Sequence, residues 1–197
     1  MPTIYHIRHG ETDWNVEGRL QGWRDLPMNA RGLTQAAAAA GILQELFARK
    51  GKSPQDFTYV SSPLTRATTT MRIVRTELNL PVEDFARDDR LREIGYGTWE
   101  GQTLREMQER DPVVFARRTA DKWETAPPSG ESYAHLAARV QAWYASLTQD
   151  TVVAAHGGTT RVLMVITGAA TTEEAADCPI KQGAVYVFGK GTLMTYS

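Results

Sequence analysis

The apolar positions of this chain follow two spacings, and the change from one to the other marks out its elements. Ile4 to Ile7, Phe57 to Val60 and Thr151 to Ala155 are short, nearly continuous apolar runs bounded by turn residues, the pattern of strands buried on both faces. Helical spacing takes over between them. Asn29 is placed to cap a helix through the alanine run Ala36 to Ala40, Leu43, Leu46 and Phe47 to Lys50, with small side chains that let it lie close to a sheet. A second helix is predicted after Ser61-Ser62-Pro63, running through Met71, Ile73, Val74 and Leu78. A third follows Gly130-Glu131-Ser132, with Tyr133, Leu136, Ala137, Val140, Tyr144 and Leu147 on one stripe, and a fourth runs from beyond Ala155 through Val165 and Ile166. Ala184 to Phe188, a Gly189-Lys190-Gly191 turn and Leu193 to Tyr196 form a closing hairpin. Strands alternating with helices predict a three-layer α/β/α sandwich around a mostly parallel sheet, with right-handed crossovers, as one domain over residues 1–197.

The less regular segments fall between these. Thr12 to Pro27 is a polar, glycine-punctuated loop, Gly51 to Asp56 a turn-rich link, Val82 to Phe85 a short strand, and Thr171 to Gly183 an irregular polar stretch. Residues 94–130 carry short helical pieces around Leu104, Met107 and Val113 to Phe115, broken at Asp111-Pro112, and then a loop from Trp123 to Gly130. This is the expected cap. Its Arg117, Arg118 and Lys122 read first as wetted surface and second as contacts for an acidic substrate, while Arg72, Arg75 and His135 read as solvated.

Composition narrows the classes. A chain of 197 residues can bury a sizeable core without staples. Lys and Arg number 22 against 23 Asp and Glu, a formal charge of -1, so no global field points to nucleic acid or an anionic membrane. A local cationic pocket is still allowed. The single cysteine, Cys178, has no internal partner, Met1-Pro2-Thr3 leads straight into a strand, and no apolar run is long enough to span a bilayer, so a cytoplasmic location is expected.

The chemistry gathers at the ends of strands. Arg8 and His9 stand side by side against Gly10, where the first strand ends, and in an open α/β sheet such strand ends line the ligand crevice. The neighbouring cation disfavours the imidazolium and keeps a lone pair on His9, while a guanidinium fork recognises phosphate or carboxylate. His156 repeats the arrangement after the Thr151 to Ala155 strand, with Gly157 and Gly158 letting the backbone approach a ligand closely. Arg66 begins the helix after the Phe57 to Val60 strand, over the same edge of the sheet. Glu93 and Glu100 lie in a compact loop with Gly95, Gly97 and Gly101, where a partly desolvated carboxylate suits acid catalysis. Competing chemistries lack parts. His6, His9 and His156 make a poor metal site beside two guanidiniums, no glycine-lysine nucleotide loop is present, and Cys178 is followed by no arginine, so no metal and no cofactor is implied.

The run Arg8-His9-Gly10-Glu11-Thr12, the Ser62-Pro63-Leu64-Thr65-Arg66-Ala67 element, the Leu91-Arg92-Glu93 and Gly97-Thr98-Trp99-Glu100-Gly101 pair and His156-Gly157 together resemble the histidine phosphatase superfamily, the phosphoglycerate mutase-like family. The resemblance spans nearly the whole chain. It implies His9 as nucleophile, Arg8 and Arg66 as phosphate clamps, His156 as a protonated donor to phosphoryl oxygens, and Glu93 as proton donor with Glu100 its competitor. Asn15 and Gln21 would help hold phosphate or the attacking water, the bland alternative for Gln21 being a solvated loop amide. Glu131 would sit near the substrate rim. The glycine-tryptophan-glutamate run and the short segment before His156 look more like the phosphatase branch than the mutase branch. The expected activity is metal-independent hydrolysis of a small phosphomonoester, the alternatives being a cofactor-dependent phosphoglycerate mutase and a non-catalytic phospho-ligand binder.

Overall fold

Six strands form one mixed sheet in the computed structural model, which describes residues 2–197: β1 (Ile4–Arg8), β2 (Thr58–Ser61), β3 (Ala86–Arg87), β4 (Thr151–Ala155), β5 (Val185–Gly189) and β6 (Thr192–Tyr196). Their order is β3-β2-β4-β1-β5-β6. β1 lies parallel to β4, with Ile4 opposite Thr151, β4 parallel to β2, and β2 parallel to β3; β5 runs antiparallel to both β1 and β6, closing the sheet with the expected hairpin. The helices are α1 (Asp13–Val16), α2 (Ala30–Arg49), α3 (Thr65–Glu77), α4 (Leu104–Arg110), α5 (Pro112–Ala120), α6 (Tyr133–Ala145), α7 (Gly157–Ile166) and α8 (Thr172–Asp177). Among the described residues no helix is long and apolar enough to cross a membrane.

Strand alternation sorts the core into two layers. Tyr5, Ile7, Val152, Ala154, Val185 and Val187 face one way, onto Ala39, Ala40, Leu43 and Phe47 of α2 and Met71 and Val74 of α3. Ile4, Val153, Ala155, Tyr186 and Phe188 face the other, onto α6 and α7. This is the α/β/α sandwich that the apolar runs predict. Ala36, Ala39 and Ala40 of α2 are fully or almost fully buried, as expected of a helix seated close to a sheet, while Ala38 is exposed on its outer face. Asn29 caps that helix, its Oδ1 accepting from Gly32 N at 2.9 Å.

Several expectations need correcting. The Thr12 to Pro27 segment contains a helical turn, α1, locked by a reciprocal Thr12–Asn15 capping box. The strand expected at Val82 to Phe85 falls instead at Ala86–Arg87, because Pro81 starts a turn in which Asp84 N donates back to Pro81 O. Thr171 to Gly183 contains α8, whose Thr171 and Glu174 form another capping box that the Thr-Thr-Glu-Glu run spells out. Arg75 is buried rather than solvated: its guanidinium lies 4.6 Å from the Tyr59 ring centroid and its Nε donates to Pro81 O. Arg72 is half-exposed in an ion pair with Glu83, and His135 is exposed.

The first strand is fixed against α2 by two glycines. A Cβ on Gly10 would lie 2.1 Å from Gly32 O, and one on Gly32 would lie 2.2 Å from Glu11 O, so the backbone leaving β1 touches the first turn of α2. Gly32→Ala should therefore destabilise the protein by about 1–3 kcal/mol through overpacking. Gly41→Ala, on the same helix with nothing within 4 Å of the new methyl, should be stabilising by up to about 1 kcal/mol. Urea unfolding midpoints of the two variants check this.

Candidate active site

The carboxyl ends of β1, β2 and β4 open into a cleft of about 490 Å³ whose wall includes Arg8, His9, Asn15, Gln21, Arg66, Glu93 and Gly157. His9 follows β1 directly, its backbone N–H donating to Ala155 O at 3.0 Å, and its ring is 2 % exposed. Nδ1 of His9 stands 2.7 Å from Gly10 O. A carbonyl can only accept, so Nδ1 carries the proton and the lone pair lies on Nε2. Burial, followed by the charges of Arg66 and Arg8, holds His9 well below its ordinary pKa, so the ring is neutral. The expected influence of Arg8 is present, but desolvation leads it.

His156 lies behind His9, ring centroids 5.3 Å apart, and is fully buried. Its Nε2 is 2.7 Å from Ser62 Oγ, and its Nδ1 has no hydrogen-bond partner among the described residues. The expectation of a protonated ring is corrected here. Burial first, and then Arg66 and His9, push its pKa well below 6.5. A neutral imidazole still offers one N–H.

The two guanidiniums are held by carbonyls. Arg66, fully buried, donates from Nη1 to Arg24 O and from Nη2 to Gly22 O at 2.8 and 2.9 Å. Burial lowers its pKa to about 10, against the pull of Glu93 and Asp25, and it remains a cation at neutral pH. Arg8 donates from Nη1 to Ile180 O. In both residues Nε is buried without a partner. The loop that Arg66 grips is also pinned by Asp25, whose carboxylate accepts from Thr65 N and Oγ1 at the start of α3. Asn15 spends Oδ1 on Thr12, which leaves its Nδ2 donors for a ligand. Gln21 is 7 % exposed, not the solvated amide that its loop allowed.

Of the two candidate acids, Glu93 lines the cleft and Glu100 does not. Glu93 Oε1 accepts from Ile94 N at 2.8 Å and from Gly158 N, in the first turn of α7, at 3.0 Å. Glu100 Oε1 accepts from Trp23 N and Tyr96 N, tying together the loops on either side of the cleft. Glu131, placed near the rim by resemblance, is not in the cleft wall; it accepts from Gly95 N and pairs with Arg139.

The outer cleft is where sequence reasoning fell short. Arg118 is buried, its guanidinium within 6 Å of the Tyr96 and Tyr133 ring centroids, and Lys122 pairs with Asp177 at the mouth, so neither is plain wetted surface; Arg117 is exposed. Arg161 also lines the wall and was not singled out. It lies one helical turn beyond Gly157 and hence on the same face of α7, which is the signal that was available. Leu20, Trp99, Leu104, Met107 and Phe115 make the opposite side apolar.

A profile of the histidine phosphatase superfamily (branch 1) matches residues 4–190. The chain belongs to this superfamily. A 2,3-bisphosphoglycerate-dependent phosphoglycerate mutase from Methylobacterium radiotolerans is 32% identical over 191 residues, 92% of this chain and 86% of the relative. Another mutase of that name, from Beijerinckia indica subsp. indica, is 29% identical over 192 residues, 92% of this chain and 88% of its own. Among solved structures, the mycobacterial glucosyl-3-phosphoglycerate phosphatase Rv2419c in complex with VO3 superposes with a TM-score of 0.80 at 26% identity, covering 100% of this chain and 97% of that one. The superfamily thus accounts for the sheet, its order of motifs and the strand-end cleft, and leaves hydrolase or mutase as the open choice.

Two outcomes follow from this geometry. A Cβ on Gly158 would lie 2.2 Å from Glu93 Oε1, whereas one on Gly157 meets nothing closer than 3.5 Å. Gly158→Ala should swing the Glu93 carboxylate away and slow turnover of an alkyl phosphate on the order of 10-fold or more; Gly157→Ala should cost far less, as steady-state kinetics would show. The second concerns pH. His6, pushed to about 3 mainly by burial, joins His9 and His156 as an imidazole that is neutral when folded. The unfolded chain binds these protons near pH 6.5 and the folded chain does not, so stability is complete above that pH and falls as pH drops below it, by up to about 1.4 kcal/mol per unit per ring. Unfolding midpoints against pH should show this slope, and His6→Leu should make it shallower.

Proposed function

We propose that the protein is a metal-independent phosphomonoester hydrolase that works through a phosphohistidine on a small phosphorylated metabolite. The observation that carries this reading is the pairing, on one cleft wall, of a neutral His9 whose Nδ1–H is committed to Gly10 O with the carboxylate of Glu93. Nε2 of His9 attacks phosphorus in line while the bond from phosphorus to the alcohol oxygen breaks, and a protonated Glu93 delivers its proton to that oxygen. Glu93, now a carboxylate, takes a proton from water as the water oxygen displaces His9, releasing inorganic phosphate. Arg8, Arg66, Asn15, Gln21 and the Gly157 N–H hold the phosphoryl oxygens, where electrostatic stabilisation is the largest catalytic term. His156 adds an N–H, and the dianion beside it favours its charged form.

A mutase must keep its phosphohistidine dry, whereas a hydrolase admits water to it. The cap expected over residues 94–130 carries two short helices, α4 and α5, and this short insertion supports hydrolysis. The likeness to a solved phosphatase over the full chain supports the same choice. The phosphoglycerate mutase reading rests on the names of the sequence relatives.

His9→Ala should abolish turnover and leave the unfolding midpoint within the range of the wild type, since water does not replace the nucleophile. Glu93→Gln should slow an alkyl phosphate by about 10²–10⁴-fold and an aryl phosphate with a good leaving group far less. With chelator present, the wild type should release phosphate from an aryl ester without converting 3-phosphoglycerate to 2-phosphoglycerate. Isomerisation stimulated by 2,3-bisphosphoglycerate would establish the mutase instead.

A further inference from the structure

Glu93 is carried on a segment with no regular structure of its own, between a single 3-10 turn at Asp89–Leu91 and another at Gly97–Trp99. A carboxylate on such a segment has to be placed by something else. The guanidinium of Arg139, near the middle of α6, points its fork at this stretch of backbone. Nη1 donates to Arg90 O and Arg92 O, both at 2.7 Å, and Nη2 donates to Glu93 O at 2.8 Å. The other edge of the fork meets Glu131, with Nε to Oε1 at 3.1 Å and Nη2 to Oε2 at 2.8 Å. Glu131 in turn accepts from Gly95 N at 2.9 Å through Oε2, and its own backbone N–H donates to Gly95 O at 2.7 Å. The ion pair is four-fifths buried, with side-chain exposures of 19% and 20%. Neither residue is part of the cleft wall.

We infer that the Arg139–Glu131 pair is a positioning device for the proton donor: it fixes the backbone on both sides of Glu93 so that the carboxylate meets Gly158 N and faces the leaving group. The inference rests on reading Glu93 as the acid. A planar, bidentate fork suits the task because it can bind three carbonyls and a carboxylate in one fixed geometry, which an ammonium cannot. α6 lies on α7, so the same helix that packs against the His156 segment also sets the Glu93 segment, and the two segments share one reference frame. Trp23 adds a second donor to Glu93 O from the opposite loop, at 2.8 Å.

The test compares 4-nitrophenyl phosphate, whose leaving group needs little protonation, with ethyl phosphate, whose leaving group needs it fully. Arg139→Met should lower kcat on the order of 100-fold for ethyl phosphate and less than about 5-fold for 4-nitrophenyl phosphate, with KM little changed. Arg139→Lys, which keeps the charge beside Glu131 and protects the fold, should show the same asymmetry in smaller measure, with an unfolding midpoint near that of the wild type. In the double variant, adding Arg139→Met to Glu93→Gln should cost less than about 3-fold more, because residues that act as one unit are not additive. Equal losses on the two esters in folded Arg139→Lys, or multiplicative losses in the double variant, would overturn the inference while leaving the acid assignment intact. A Glu93→Gln enzyme that treats both esters alike would overturn the assignment itself, and the positioning role with it.

Discussion

The site depends on two guanidiniums buried against carbonyl oxygens instead of carboxylates. Arg66 is satisfied by Gly22 O and Arg24 O, and Arg8 by Ile180 O. Carbonyl dipoles fill hydrogen-bonding demand without cancelling charge, so the charge opposing these two cations comes from Glu93 across the cleft, and the guanidiniums favour an anionic ligand. The same positive charge, added to desolvation, holds His9 and His156 neutral. One arrangement thus favours an anionic ligand and keeps a lone pair on Nε2 of His9.

The fold supplies this arrangement from the way strands end. β1, β2 and β4 lie side by side and parallel, and each gives the cleft or its floor a functional group at or just beyond its carboxyl end: Arg8 and His9, Ser62 and Arg66, His156 and Gly157. The loops over those ends are tied together rather than left to move freely. Arg66 grips the 22–24 backbone, Asp25 caps α3, Glu100 joins Trp23 to Tyr96, and Gly101 N donates to Leu20 O. Precise placement of the reacting groups comes from this mutual bracing, the support that catalytic geometry requires.

The outer cleft differs in character from the inner one. Here it combines an apolar side with Arg118, Arg161 and the Lys122–Asp177 pair. Within α4 and α5 the buried residues are Met107 and Arg118, while Leu104 and Val113 are exposed.

Spacing alone carries the sandwich and the closing hairpin, and spacing together with the family resemblance carries the inner cleft. Buried parallel strands are written as short continuous apolar runs, helices as 3.6-spaced stripes, and a chemical group at a strand end can be found without knowing the fold in detail. His9, Arg8, Arg66 and His156 were legible for that reason. So was the Gly10 acceptor for His9, being the adjacent residue. The tertiary structure decided what depends on distant partners. Arg75, Arg118 and Arg161 look like any surface arginine in sequence, and only packing against Tyr59, Tyr96 and Tyr133 or against the cleft reveals that they are withdrawn from water. Neutrality of His156 follows from burial first and then from the charge of Arg66 on α3, neither of which its own neighbours in sequence supply. Glu93 lines the cleft and Glu100 does not, and the backbone N–H groups that help hold them there, Gly158 for one and Trp23 for the other, lie more than sixty residues away in the chain. Local spacing fixes which side chains share a face; long-range burial fixes what those side chains become.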